Sequence, residues 1–225
     1  MTNPTLKIIS TADGSHSLHR EDLNETYHSF HGAMGESDYV FIKAGLDYFV
    51  QKYQKNTVSV FEVGLGTGLN ALLAANWSRS KKIKVEYQTI EPFPVPKEVY
   101  ERLNYGEGQD ERKKIFLDIH SAQWGTATQI LPEFQLMKSQ TTLEQVDIPT
   151  LFDVIFFDAF APSKQPEVWS LENLQKCYAL LNNGGIVTTY CAQGQFKRNL
   201  KSAGFEIEIL PGAMGKKEMV RAHKS

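Results

Sequence analysis

Apolar positions along this chain fall into short runs separated by amphipathic stretches, the pattern of strands and helices in alternation. Residues 6–10 and 17–20 flank Asp13-Gly14, a hairpin turn signal. Residues 21–39 are polar and rich in small and aromatic side chains, a candidate substrate-side lid. Over 40–53, Phe41, Leu46, Phe49, Val50 and Tyr53 recur at helical spacing. Residues 58–61 predict a first core strand, and the Ala/Leu-rich stretch from Ala71 predicts a helix. A second strand over 85–90 leads into a Pro-rich turn (92–96) and a helix near Lys97. Residues 114–119 read as a third strand, 124–131 as a helix stopped by Pro132, and 139–149 as an irregular insertion. Residues 152–157, apolar apart from Asp153, predict a fourth strand in a sheet covered on both faces. A helix over 171–181, a fifth strand over 185–190 and a short basic helix over 196–203 follow. Residues 205–210 alternate as an edge strand does, and 217–222 are placed to pair with it antiparallel. The fold class this predicts is α/β: a doubly wound, mostly parallel sheet with an antiparallel C-terminal hairpin and a small N-terminal extension. Residues 1–53 form the extension (hairpin, substrate-side segment and helix) and 54–225 the main domain, packed together as one unit.

Composition narrows the setting. At 225 residues, 41% hydrophobic and 22% charged, the chain is an ordinary globular domain able to build a full core. A net charge of −2 gives no chain-wide nucleic-acid signature, so any polyanion must meet a local patch. Cys177 and Cys191 show no paired spacing, and the six histidines have no metal-ligand spacing, so neither a disulfide framework nor a metal site is expected. With no signal pattern and no apolar run of membrane-spanning length, the expected setting is cytoplasmic, without a membrane.

Candidate chemistry begins where the first strand runs into Gly64, Gly66 and Gly68. Glycines at every second position allow positive φ and let backbone N–H groups approach a ligand. The spacing Gly-x-Gly-x-Gly misses the dinucleotide fingerprint, and no Lys-Ser/Thr pair follows to make a phosphate loop. Glu91 closes the second strand, where an acid accepts two ribose hydroxyls. That layout fits a nucleoside cofactor with no phosphate to neutralise, such as S-adenosyl-L-methionine.

Beyond the glycine loop (62–70), Asp158-Ala159-Phe160-Ala161-Pro162 with Pro166 and Trp169, then Thr189-Tyr190, then Gly215-Lys216-Lys217-Glu218-Met219, occur in an order found in one family. Over residues 12–222 the chain resembles the methyltransferase domain of the bifunctional tRNA wobble-uridine modification enzymes MnmC, and their free-standing MnmD-like relatives. Cys191 and Gln193 depart from that pattern, while a basic pair persists as Lys197-Arg198.

The resemblance implies a class I, Rossmann-like methyltransferase. Its substrate would be the exocyclic amine of 5-aminomethyl(-2-thio)uridine at the tRNA wobble position, giving 5-methylaminomethyl(-2-thio)uridine and S-adenosyl-L-homocysteine. The 225 residues leave no room for the flavin-dependent domain of the fused enzymes, so a separate flavin-dependent tRNA-modifying enzyme is a candidate partner. Rival readings are a methyltransferase for a free small-molecule amine and a non-catalytic docking partner.

Asp158, at the fourth strand's tip, is the candidate catalytic carboxylate, since an ammonium must lose a proton before it attacks. Glu62, Gly64, Gly66, Gly68, Asn70, Glu91 and Asp118 are cofactor candidates. Glu62 either anchors the amino-acid end or braces the loop, and Asp118 either receives the adenine amino group or caps a strand. Phe160, Pro162 and Trp169 either stack on uracil or pack the loop. Tyr27 and Tyr190 are candidates at the cofactor or substrate edge. Lys164, Lys197, Arg198, Lys201, Lys216, Lys217 and Arg221 either track phosphates or form a solvated face.

Overall fold

The computed structural model describes residues 4–225. The hairpin forms around Asp13, whose Oδ1 accepts the Thr11 hydroxyl at 2.7 Å and the Ser15 N–H at 3.0 Å. Strands β1 (Leu6–Ser10) and β2 (His16–Arg20) pair antiparallel with Leu6 opposite Arg20, and β3 (Glu25–Thr26) adds a third strand. A continuous helical run follows over 33–53: α1 (Ala33–Ser37), π-helical turns over Asp38–Asp47, and α2 (Tyr48–Tyr53). Gln54, left-handed at φ 51°, ends it.

The main sheet has eight strands. In chain order these are β4 (Thr57–Val63), β5 (Lys84–Ile90), β6 (Thr128–Leu131), β7 (Phe134–Ser139), β8 (Phe152–Phe157), β9 (Leu181–Thr189), β10 (Glu206–Pro211) and β11 (Glu218–His223). Their spatial order is β10-β11-β9-β8-β4-β5-β7-β6. The inner five, β9 to β7, run parallel, while β11, β10 and β6 are antiparallel to their neighbours. Helices α3 (Leu69–Lys81), α4 (Lys97–Tyr100), α5 (Asp110–Ser121), α6 (Leu171–Leu180) and α7 (Gly194–Ser202) complete the chain.

The central strands β4 and β8 are buried on both faces along most of their length, whereas β5 and β7 leave Glu86 and Gln135 exposed. Val58, Val60, Tyr87, Val154 and Phe156 pack with the 33–53 run, α3 and α5, and Leu18 of the N-terminal hairpin joins this same core. Phe61, Val63, Phe152, Ile155 and Phe157 point the other way, toward α6 and α7. Full burial of one such side chain contributes about 1.5–3 kcal/mol, so the two layers supply most of the gross stabilisation.

Two expectations fail, both on the β5 side. Residues 114–119 belong to α5 and are not a third strand. Ile115, Phe116 and Ile119 are buried at helical spacing, and Lys114 pairs with Asp118 one turn on. The expected helix over 124–131 contains β6 instead, joined to β7 by the Pro132-Glu133 turn. The strand beside β5 is thus β7, with Phe134, Leu136 and Lys138 buried in alternation. Lys138 is 1% exposed; its ammonium donates to the His120 carbonyl at 2.6 Å and sits over the Trp124 ring. A lysine at that inward position hides the strand's periodicity.

Candidate active site

Connections leave β4 in opposite directions, toward β5 and β7 on one side and β8 and β9 on the other. At such a reversal the loops at the carboxyl ends diverge and leave a crevice. Here it is a cavity of about 430 Å³, lined by the loops after β4, β5 and β8, by 25–29 and 36–37, and by 142–144. That volume suits a small molecule.

The glycine loop is its floor. Gly64, Gly66 and Gly68 have φ of 92°, 51° and 74°, where side chains are disfavoured. Space is lacking as well. A Cβ on Gly64 would stand 3.0 Å from the Asp158 carbonyl oxygen, on Gly66 3.0 Å from the Tyr27 ring, and on Gly68 2.8 Å from His120 Nε2. The β4 loop therefore closes directly on the β8 loop. Glu91 is 8% exposed and doubly tethered: Oε2 accepts the Gly66 N–H at 3.0 Å and Oε1 the Phe93 N–H at 2.9 Å. Burial pushes its carboxyl up, and the two backbone donors pull against that. Glycine backbone and an aimed carboxylate with lone pairs to spare fit a ribose-bearing cofactor.

Asp158 faces the cavity from the β8 tip. Its N–H donates to the Val63 carbonyl at 3.1 Å, and Asn70 Nδ2 donates to its Oδ2 at 2.8 Å. Protein encloses it on all sides except the cavity, and this desolvation raises its carboxyl to about 7. Beneath lies Glu62, fully buried and raised to about 8, first by desolvation. Thr89, Asn70 and Tyr87 lean on it, yet neither carboxylate oxygen has a hydrogen bond of full geometry. With no cation beside it, Glu62 is held as the neutral acid at neutral pH. It lies below the cavity wall, under the loop, and does not line the cavity.

Of the other sequence candidates, Tyr27, Asn70, Phe160 and Tyr190 line the cavity. Tyr27 and Phe160 meet edge to face at 4.8 Å, and Tyr190 donates to the Ala159 carbonyl at 2.8 Å. The remaining candidates apart from Lys216 lie outside the lining, as does Gly68. Asp118 is on α5, paired with Lys114, because the strand expected there is a helix. Trp169 is 3% exposed, packs on Phe157 and Phe196, and donates to the Phe160 carbonyl at 2.8 Å, bracing that loop from behind. Lys164 donates to the Leu23 carbonyl, and Lys197 pairs with Glu218 at 3.1 Å. Pro162 is also outside the lining. Among the remaining basic residues, Arg221 is buried against Glu208 and Tyr48, whereas Arg198, Lys201 and Lys217 are exposed.

Sequence reasoning missed several lining groups. Arg20 is gripped by Asp22 and lies over the Phe93 ring at 5.0 Å. Thr142, Leu143 and Glu144 follow β7 and occupy the place given to Asp118; correct placement of that strand is the signal that finds them. Glu36, which lines the cavity too, pairs there with Lys216, the basic candidate named above, from 180 residues away. Among the described residues no group of three or more His, Cys, Asp or Glu could hold a metal, and no helix is long and apolar enough to cross a membrane.

The sheet order and the crevice define the class I methyltransferase fold, with backbone and an acid arranged for a nucleoside-bearing cofactor. A family model described as S-adenosyl-L-methionine-dependent methyltransferase matches residues 110–225. The chain belongs to that family. It is 31% identical over 213 residues to the tRNA 5-methylaminomethyl-2-thiouridine biosynthesis bifunctional protein MnmC of Campylobacter hominis, covering 92% of this chain and 31% of that protein. The MnmC of Pseudoalteromonas atlantica is 29% identical over 238 residues, covering 98% of this chain and 34% of that protein. The chain thus spans about a third of the length of these curated relatives. MNMC2 from Aquifex aeolicus shares its fold, with a TM-score of 0.79 at 24% identity over 98% of this chain and 70% of that one. Spermidine synthase from Thermotoga maritima gives 0.59 at 14% identity, over 100% of this chain and 71% of that one.

Proposed function

We propose that this methyltransferase acts on the exocyclic amine of 5-aminomethyl(-2-thio)uridine at the wobble position of tRNA, with Asp158 as the catalytic carboxylate. The observation that carries the reading is the placement of Asp158: a desolvated acid on the cavity wall, in backbone contact with the glycine loop. The relatives' printed role in 5-methylaminomethyl-2-thiouridine biosynthesis supplies the substrate class.

S-adenosyl-L-methionine, when bound, supplies a methyl group activated by a sulfonium. Glu91 would accept the ribose hydroxyls, the 64–68 backbone would hold the cofactor beside them, and Thr142–Glu144 would border the adenine. Asp158 accepts a proton from the substrate ammonium: an N–H bond breaks, its electron pair stays on nitrogen, and an O–H bond forms on the carboxylate. Asn70 fixes the carboxylate's orientation, and alignment of nucleophile with methyl is the main source of rate. Phe160, Phe93 and Tyr190 offer ring faces for the uracil. Arg198, Lys201 and Lys217 are the exposed cations available to the tRNA backbone. A separate flavin-dependent enzyme is the partner that fits as the source of the aminomethyl precursor.

The test is incubation with methyl-labelled cofactor and tRNA lacking only this methyl, then digestion to nucleosides. Label in 5-methylaminomethyl(-2-thio)uridine is expected. Label in free polyamines but never in tRNA overturns the reading.

A further inference from the structure

Lys216 and Glu36 come to the cavity from opposite ends of the chain. Lys216 sits in the turn between β10 and β11, where Met214 and Gly215 take positive φ and the Lys216 N–H donates to the Ala213 carbonyl at 2.9 Å. Glu36 sits on α1, 6% exposed, with Oε2 accepting the Ser29 N–H at 3.1 Å and Oε1 paired to the Lys216 ammonium. That ammonium also lies 4.3 Å from the centre of the Tyr190 ring. Tyr190 in turn is anchored to the carbonyl of Ala159, the residue after Asp158. The pair is therefore fixed to the Asp158 loop and opens on the same cavity.

Charged or titratable groups from several elements act on Asp158, while Arg20, Glu25, Glu91 and Glu144 line other parts of the same cavity. The groups acting on it are Glu62 on β4, Tyr87 on β5, Tyr190 after β9, Glu36 on α1 and Lys216 in the last turn; Asn70 on α3 is the neutral hydrogen-bond donor. Among them Lys216 is the cation, and it draws Asp158 toward the carboxylate, whereas Glu36 draws it toward the acid.

We propose that Lys216 and Glu36 are positioning residues that act as one charge couple, an ion pair opening on the cavity beside Asp158 whose two members act on its proton affinity in opposite directions. A lone lysine there would leave the carboxylate too weak a base and repel an ammonium substrate. A lone glutamate would leave Asp158 protonated and unable to accept. Held together, they let the acid exchange its proton near neutrality, where an aminomethyl group must be relieved of one. The couple's use rests on the amine-methylation reading; its effect on Asp158 does not.

The test follows the isotope-labelled carboxyl carbon of Asp158 by NMR through a pH titration of the ligand-free protein, with Asp158→Asn assigning the resonance. Lys216→Met is expected to raise the midpoint by about one pH unit and Glu36→Gln to lower it, while Lys216→Arg holds it in place. Lys216→Gln and Glu36→Met replace any variant that melting curves show to be unfolded. Movement of both in the same direction, or of neither, overturns the proposal. Failure of the unaltered protein to methylate tRNA would remove the functional reading and leave this titration unaffected.

Discussion

Glu91 and Asp158 stand at the tips of β5 and β8, on either side of the β4 loop, and both carboxyls line one cavity, Glu91 buried and Asp158 half-buried. Their surroundings differ. Two backbone N–H groups grip Glu91, one on each oxygen, so its direction is fixed and its charged form is favoured against the pull of burial. Asp158 receives one side-chain amide, is desolvated, and feels a second acid and the Lys216–Glu36 couple. The two carboxyls therefore suit the different tasks proposed for them, one a fixed acceptor and the other a group that exchanges a proton near pH 7.

Exchanging the tasks should therefore fail in different ways. Asp158→Asn is expected to lower turnover about 100- to 10,000-fold while leaving cofactor affinity near that of the parent, measured by single-turnover kinetics beside calorimetry. Glu91→Gln should do the reverse: affinity for S-adenosyl-L-homocysteine falls about 10- to 100-fold, as for loss of a charge-assisted hydrogen bond, and turnover at saturation changes little.

A third effect appears in stability. The Asp158 carboxyl is raised to about 7 from 3.8, so the folded state holds this proton more tightly than the unfolded chain. Its contribution is full below pH 4 and is lost as pH rises through 7. Asp158→Asn removes that penalty, so the variant should be more stable than the parent at pH 8, by about 1–3 kcal/mol, with the gap closing toward pH 5. Thermal melts across this range measure it. The smallest effect belongs to Asp118→Asn, which breaks one exposed helical pair; a change of about 0.5 kcal/mol or less in stability and none in cofactor affinity is expected.

The same contrast explains what the sequence made legible. β4, β5 and β8 are apolar runs that end in a glycine turn or an acid, so the strand tips and Gly64, Gly66, Glu91 and Asp158 could be read locally. The β7 strand could not, because Lys138 occupies an inward position and Ile115-Phe116-Leu117 offers a more apolar run nearby. Reading that strand at 114–119 puts Asp118 at a strand tip, whereas the segment that follows the strand and lines the cavity is 142–144. Trp169 lies beside the site in sequence, yet its indole faces the core behind Phe160. Glu36 carries no local signal, since a glutamate on a short helix reads as solvated, and Lys216 is legible only as one of several cations that could meet phosphate, with nothing to mark its pairing. Only the closure of the N-terminal segment against the last hairpin joins them.

A crystal structure with S-adenosyl-L-homocysteine bound tests the arrangement most directly. The account predicts ribose hydroxyls on Glu91, the 64–68 backbone against the ligand, and the sulfur turned toward the Asp158 carboxylate across room for one methyl group. Ligand bound elsewhere, or an Asp158 side chain directed out of the cavity in that complex, would contradict it.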